Sequence, residues 1–127
     1  MNPETKLQNL QMLALSSAGC LVWRVETAGA WVGKVMHKDN QTVTLANARM
    51  IQAGLCRGGS DIIGIRPTVI TQEMVGKTVG VFIADEVKTS KGRPTKEQLR
   101  FIEAVNNAGG KAGIARSVED ALKLIRG

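Results

Sequence analysis

An apolar run that ends in charge constrains the fold of this chain more than any other segment. Residues 79–84 are apolar or glycine, and the sequence Asp-Glu-Val-Lys follows at residues 85–88. The run predicts a β-strand over residues 79–87, the longest and most buried strand of the chain. Because side chains alternate across a strand, Glu86 and Lys88 project from one face and Asp85 from the other. The strand end therefore carries a carboxylate and an ammonium on one face.

Helix and strand signals on both sides of this run predict a single α/β domain over residues 1–127. The segment at 111–115 is reached from the run through a helix, so the two strands should be parallel. Residues 47–57 are ambiguous. The remaining predicted elements are a helix ending near 18–19, strands at 20–25, 30–36, 42–45 and 61–65, a connector at 66–77, a mobile loop at 89–94, a helix capped by Thr95 and ending at 109–110, and a last helix capped by Ser117.

Charge points to a polyanionic partner. Lysine and arginine number 17 against 11 aspartate and glutamate residues, a net charge of +6. A basic domain of this kind favours nucleic acid over acidic partners. Aromatic residues make up only 3% of the chain and tyrosine does not occur. Because few rings are available for stacking on bases, contacts should be mainly to phosphates.

Cysteine usage and hydropathy indicate the compartment. Cys20 and Cys56 are the only cysteines, and two scattered thiols indicate a reducing environment without disulfides. No segment approaches the ~18 apolar residues that a membrane helix needs, and the N-terminus has no signal-peptide order. We expect a soluble cytoplasmic protein without a membrane partner, and an origin in a phage or mobile element is compatible with this. Residues 76–78 imitate the end of a Walker loop, but Thr71 stands where that motif needs glycine, so we expect no nucleotide cofactor.

A second acid opens another predicted strand. Asp61 follows Gly58, Gly59 and Ser60, and a carboxylate in that place is able to bind a hard cation together with Glu86. Taken singly, each residue has a simpler explanation. Asp61 serves equally well as a turn cap, and a same-face glutamate and lysine form an ordinary surface ion pair worth ~0.2–1 kcal/mol.

These motifs together resemble the VRR-NUC family, the virus-type replication-repair nucleases of the PD-(D/E)xK nuclease superfamily. The resemblance covers nearly the whole chain. Ser60 replaces the superfamily's proline, which shapes the turn and does no chemistry. The matching segments are Glu4-x-x-Leu7-Gln8, Gly58-Gly59-Ser60-Asp61-Ile62-Ile63-Gly64, Glu86-Val87-Lys88, Gln98-Leu99-Arg100-Phe101 and Asn107-Ala108-Gly109-Gly110-Lys111-Ala112.

The resemblance implies a restriction-endonuclease-like core, with a mixed central β-sheet flanked by helices, and a divalent metal site. Mg²⁺ or Mn²⁺ would be bound by Asp61, Glu86 and the backbone carbonyl of Val87, with Glu4 completing the shell directly or through water. Lys88 would orient the attacking water or offset charge on the phosphate. Gln98 would position Lys88, the water or a phosphate, although a capping role alone also explains it.

The resemblance further implies hydrolysis of DNA phosphodiester bonds by a homodimer, on branched DNA such as four-way (Holliday) junctions in repair. Four cations just beyond the site are suited to phosphates beside the cut, or else form a solvated face: Lys91, Arg93, Lys96 and Arg100. The alternative function is a non-catalytic, basic nucleic-acid-binding module on a nuclease fold. A third is an accessory protein that acts only through protein contacts.

Overall fold

A computed structural model describes residues 1–26, 28–53 and 55–126 of the chain. Over these residues the protein is a mixed α/β structure, as the sequence predicts, with three α-helices and six β-strands. The elements in chain order are α1 (Pro3–Ser17), β1 (Leu21–Arg24), β2 (Ala28–Lys38), β3 (Val43–Ala53), β4 (Ile62–Ile65), a short 3-10 helix (Gln72–Met74), β5 (Ile83–Val87), α2 (Lys96–Asn107), β6 (Lys111–Ala115) and α3 (Val118–Ile125).

The strands of the described chain pair in three two-stranded sheets, β1 with β4, β2 with β3, and β5 with β6. The chain divides into two compact units. The first contains Met1–Leu13 and Val22–Ile63, and the second contains Ala14–Leu21 and the chain from Gly64 onward. The single domain and the mixed central sheet therefore stay predictions.

Local signals determine both ends of α1. The Asn2 side chain accepts a hydrogen bond from the Glu4 backbone N–H at 2.7 Å, as expected of an N-terminal cap. At the other end, Gly19 has a φ of +94° and the Cys20 N–H donates to the Leu15 carbonyl at 3.0 Å. Glycine adopts this left-handed conformation without steric cost, so the helix ends where the sequence predicts.

The longest strands belong to an antiparallel ribbon in the first unit, β2 and β3, each of 11 residues. The predicted strand at 42–45 is too short, because β3 continues through the ambiguous residues to Ala53. Asn47, at a φ of +53°, lies beside an irregularity in the register. At the turn, the Asp39 carboxylate accepts hydrogen bonds from the Gln41 and Thr42 N–H groups, each at 2.8 Å.

The best-packed part of the second unit surrounds the parallel pair β5 and β6. Helices α2 and α3 both contact β6. The buried residues of the described chain all lie here: Val105 at 0% exposure, Ala112 at 7% and Ala115 at 4%. Gly110 allows this packing, because a Cβ there would lie 2.7 Å from Val105 Cγ1 and 3.0 Å from the Phe82 carbonyl oxygen.

The prediction for β5 is wrong in length and in burial. The strand begins at Ile83 and has five residues, so it is shorter than β2 and β3. Its side chains alternate, with Ile83 55% and Val87 74% exposed while Ala84 and Glu86 are half-buried. Only β6 pairs with β5 in the described chain. One face of β5 is therefore turned to the helix-packed core and the other remains at the surface.

No helix within the described residues has both the length and the apolar character needed to cross a membrane.

Candidate active site

Glu86 and Lys88 are brought together at the end of β5. The Lys88 Nζ lies 3.5 Å from Glu86 Oε1, and the two side chains are 19% and 32% exposed, respectively. Both belong to the less exposed face of the strand, whereas Asp85 lies on the exposed face. The predicted parity is confirmed. The pair is more enclosed than a free surface ion pair, so solvent screens it less.

Gln98 joins the pair from the first turn of α2. Its Nε2 donates a hydrogen bond to Glu86 Oε1 at 2.8 Å. Its Oε1 accepts one from the Thr95 N–H at 2.9 Å, and its own N–H donates to Thr95 Oγ1 at 3.1 Å. This is a complete capping box. The capping role is confirmed, and the same side chain also supports the glutamate.

The two carboxylate oxygens of Glu86 are in different environments. Lys88 and Gln98 both contact Oε1, while Oε2 has no hydrogen-bond or ion-pair partner among the described residues. The contacts to Oε1 hold the carboxylate in one orientation and partly neutralise its charge. Oε2 is a hard oxygen donor that remains free for a cation such as Mg²⁺ or Mn²⁺. Glu86 thus fits the chemistry of a metal ligand.

The backbone of β5 and β6 supports Lys88. Its N–H donates to the Ala115 carbonyl at 3.1 Å, which extends the parallel pairing past Val87. The loop after the strand turns back onto the lysine stem. A Cβ added at Gly92 would lie 3.4 Å from Lys88 Cδ. The backbone at Gly92 therefore lies close to the Lys88 side chain as far out as Cδ.

Asp61 and Glu4 both belong to the first unit. They line one small pocket with a further acid, Glu26, that sequence reasoning missed. Glu26 follows β1. The residue before Glu26 is Val25, whose backbone N–H donates a hydrogen bond to the Asp61 carbonyl at 2.8 Å. Glu26 is brought near Asp61 by the pairing of β1 with β4. Sequence reasoning did not predict that pairing, so it did not identify Glu26 as a site residue.

The predicted metal ligands are thus found in two sets. Glu4 and Asp61 belong to the first unit, and Glu86 and Val87 to the second. Within the described ranges, no group of three or more histidine, cysteine, aspartate or glutamate side chains is placed to bind a metal ion. Convergence of Asp61 and Glu86 on one ion remains a prediction, as does ligation by the Val87 carbonyl.

Four basic side chains follow the candidate site along the chain. All are exposed, and none makes a hydrogen bond or ion pair through its side chain with the described residues: Lys91, Arg93, Lys96 and Arg100. Two of them lie on the loop after β5 and two on α2. Cations without internal partners are available to phosphates, which agrees with the predicted role and does not by itself establish it.

Comparison of the chain with protein-family models, curated proteins and solved structures gave no match.

Proposed function

We propose that this chain is a divalent-metal-dependent endonuclease that hydrolyses DNA phosphodiester bonds, with a restriction-endonuclease-like core of the VRR-NUC type. The observation that carries the proposal is the arrangement at Glu86. One carboxylate oxygen is held by Lys88 at 3.5 Å and by Gln98 at 2.8 Å, and the other has no hydrogen-bond or ion-pair partner among the residues that the structure describes. The three residues are those that the family resemblance selects, and they occur in one half-buried cluster.

Each side chain has a distinct role in the proposed reaction. Lys88 lies beside the carboxylate and offsets negative charge that develops on the phosphate, or orients the attacking water. Gln98 fixes Glu86 so that its free oxygen points consistently toward the cation. Because Lys88 is half-buried, its charge acts on a nearby phosphate with less screening than a surface lysine would.

The proposed metal ligands are Asp61, Glu86 and the Val87 carbonyl, with Glu4 directly or through water. A bound Mg²⁺ or Mn²⁺ would polarise the phosphate and activate a water molecule. The carboxylates and the carbonyl are hard oxygen donors, as these ions require. Exposed Lys91, Arg93, Lys96 and Arg100 would bind phosphates on either side of the cut.

A homodimer acting on branched DNA is part of the proposal. Two active sites related by a twofold axis suit a four-way junction, which offers two symmetric cleavage positions. Sedimentation measures the oligomeric state, and a monomer at micromolar concentration would remove the homodimer from the proposal. Cleavage of a panel of single-stranded, duplex, flap and four-way substrates measures the preference for branched DNA.

The test of the activity combines cleavage with metal binding. We expect the wild-type chain to cut at least one DNA of the panel with Mg²⁺ or Mn²⁺ and to lose cutting when a chelator is added. Asp61→Asn and Glu86→Gln remove one proposed ligand charge each and should abolish both Mn²⁺ binding in calorimetry and cleavage. Asp85→Asn, on the opposite face of β5, is the matched control. Cleavage that survives both ligand substitutions would refute the proposal.

A non-catalytic nucleic-acid-binding module is the second candidate function. The net charge of +6 and the four unpaired cations after β5 support it without any metal. Such a module would bind DNA or RNA with strong salt dependence, cut nothing, and show no Mn²⁺ site that disappears in Asp61→Asn.

A further inference from the structure

Arg116 fastens the loop that leaves the candidate site. It follows β6 directly, and its Nη1 donates hydrogen bonds to two carbonyl oxygens of the loop, that of Thr89 at 2.6 Å and that of Gly92 at 2.8 Å. The Gly92 N–H also donates to the Thr89 carbonyl at 3.1 Å and closes a turn. Sequence reasoning predicted a mobile loop here, and the structure shows a turn bound by a guanidinium.

Arg116 is itself held by the start of α3. Its backbone N–H donates to Asp120 Oδ2 at 3.0 Å, and the Asp120 N–H donates to Ser117 Oγ at 3.1 Å. Its neighbour Ala115 is buried and accepts the hydrogen bond from the Lys88 N–H. The guanidinium therefore extends from a well-anchored backbone position beside the end of β5.

The bound turn lies close to Lys88 and carries two of the four exposed cations. Gly92 lies against the Lys88 stem, since a Cβ there would be 3.4 Å from Cδ and 3.5 Å from Cβ of the lysine. Lys91 and Arg93 flank Gly92 and are exposed. Fixing the turn thus limits the positions of Lys88 and of both cations at once.

We propose that Arg116 is a positioning residue of the active site. By binding the Thr89 and Gly92 carbonyls it keeps the turn against Lys88, so that the ammonium stays beside Glu86 and the neighbouring cations face phosphates next to the cut. Hydrogen bonds from a charged donor are stronger than neutral ones. A loop ordered before DNA binds also avoids the entropic cost of ordering it on binding. The catalytic part of this inference rests on the proposed nuclease function.

The test compares Arg116→Ala with Arg126→Ala, which removes the same charge from an exposed side chain that makes no hydrogen bond or ion pair with the described residues. Hydrogen exchange of the amides at residues 88–93 and cleavage of the substrate that the wild type cuts are measured for each. We expect Arg116→Ala to lose protection over these amides and about 10²-fold in kcat, since a small displacement of a catalytic group has that effect. Arg126→Ala should match the wild type in exchange and change kcat less than 2-fold, about the limit expected for a neutral surface site.

A direct phosphate contact gives a different pattern. Arg116→Ala would then weaken DNA binding and lower the salt slope by about one, with exchange at residues 88–93 and kcat unchanged. That result would overturn the inference. Should Arg116→Ala also lose protection in α2 and β6, the measurement is repeated with Arg116→Lys. This variant keeps the charge, but its side chain ends one bond short of the Nη1 that binds both carbonyls. The same loop-specific loss is then required.

Failure of the inference is separable from failure of the proposed function. A wild-type chain that cuts no substrate would overturn both. A wild-type chain that cuts, with Arg116→Ala equal to Arg126→Ala in exchange and in kcat, would overturn the positioning role alone.

Discussion

Glu86 and Gln98 are joined by a 2.8 Å hydrogen bond across twelve positions of sequence, from the end of β5 to the first turn of α2. The amide of Gln98 donates to the carboxylate while its oxygen caps the helix. One side chain therefore links the secondary structure of α2 to the orientation of a proposed metal ligand. Two substitutions separate these roles: Gln98→Glu removes the contact with Glu86, and Thr95→Ala removes part of the helix cap.

Gln98→Glu should retain the capping box and lose the support of Glu86. A glutamate oxygen accepts from the Thr95 N–H as the amide oxygen does. It has no donor for Glu86 and places a second carboxylate beside it. Loss of this half-buried hydrogen bond should lower the free energy of unfolding by about 1 kcal/mol. Cleavage should fall at least about 10-fold.

Thr95→Ala provides the reciprocal control. It removes the hydroxyl that accepts from the Gln98 N–H, at a cost of about 1 kcal/mol, and leaves the Gln98 amide in place against Glu86. Activity per folded molecule should remain near that of the wild type. If Gln98→Glu cuts DNA normally, the glutamine acts only as a cap.

Lys88→Ala should separate catalysis from metal binding. The substitution removes the ammonium 3.5 Å from Glu86 Oε1 but leaves every proposed metal ligand. We expect Mn²⁺ to bind in calorimetry and cleavage to fall by about 10²–10³-fold, the range for loss of one charge-stabilising group. Lys91→Ala, an exposed lysine on the following loop, is the control and should affect binding of DNA more than turnover. Retained cutting by Lys88→Ala would remove the lysine from the mechanism.

The parts of this structure that sequence predicts well depend on neighbours in the chain. The capping box led by Thr95 and the N-terminal cap at Ser117 are local arrangements of four residues, and both are found. The common face of Glu86 and Lys88 follows from the alternation of any strand. The capping box places the Gln98 side chain only relative to Thr95, and the expectation that Gln98 belongs to the site came from the family resemblance.

The parts that sequence misses depend on contacts between distant residues. The exposure of Ile83 and Val87 depends on which strands flank β5, and a run of apolar letters does not contain that information. Arg116 binds carbonyls 24 and 27 positions away, and no local pattern marks an arginine for such a role. Asparagine favours turns, so Asn47 gave no indication in the sequence that β3 continues past it.

Val105 should carry much of the packing free energy of the second unit. It is the fully buried large side chain of the described residues, at 0% exposure, and a Cβ on Gly110 would collide with it. Val105→Ala should lower the free energy of unfolding by about 2 kcal/mol, from lost apolar burial and the cavity left behind. Val69→Ala, at a position 84% exposed, is the control and should have little effect in urea denaturation. Equal effects of the two would mean that this core contributes little.

Asp39 should make the turn of the β2–β3 ribbon dependent on pH. Hydrogen bonds from the Gln41 and Thr42 backbone N–H groups, then from the Thr42 hydroxyl and His37, lower the pKa of this carboxyl below its ordinary value of 3.8. A lowered pKa in the folded state means that the ionised form stabilises the turn above pH 3.8, and that this contribution disappears as pH falls through the lowered pKa.

Hydrogen exchange at Gln41 and Thr42 should therefore be slower in the wild type than in Asp39→Ala at pH 6, with the difference shrinking at acid pH once the intrinsic exchange rate is corrected. Asp39→Asn retains an oxygen acceptor that does not titrate, so its protection should not vary over the same range; a wild-type protein that behaves like Asp39→Asn would show that the charge has no part in the turn.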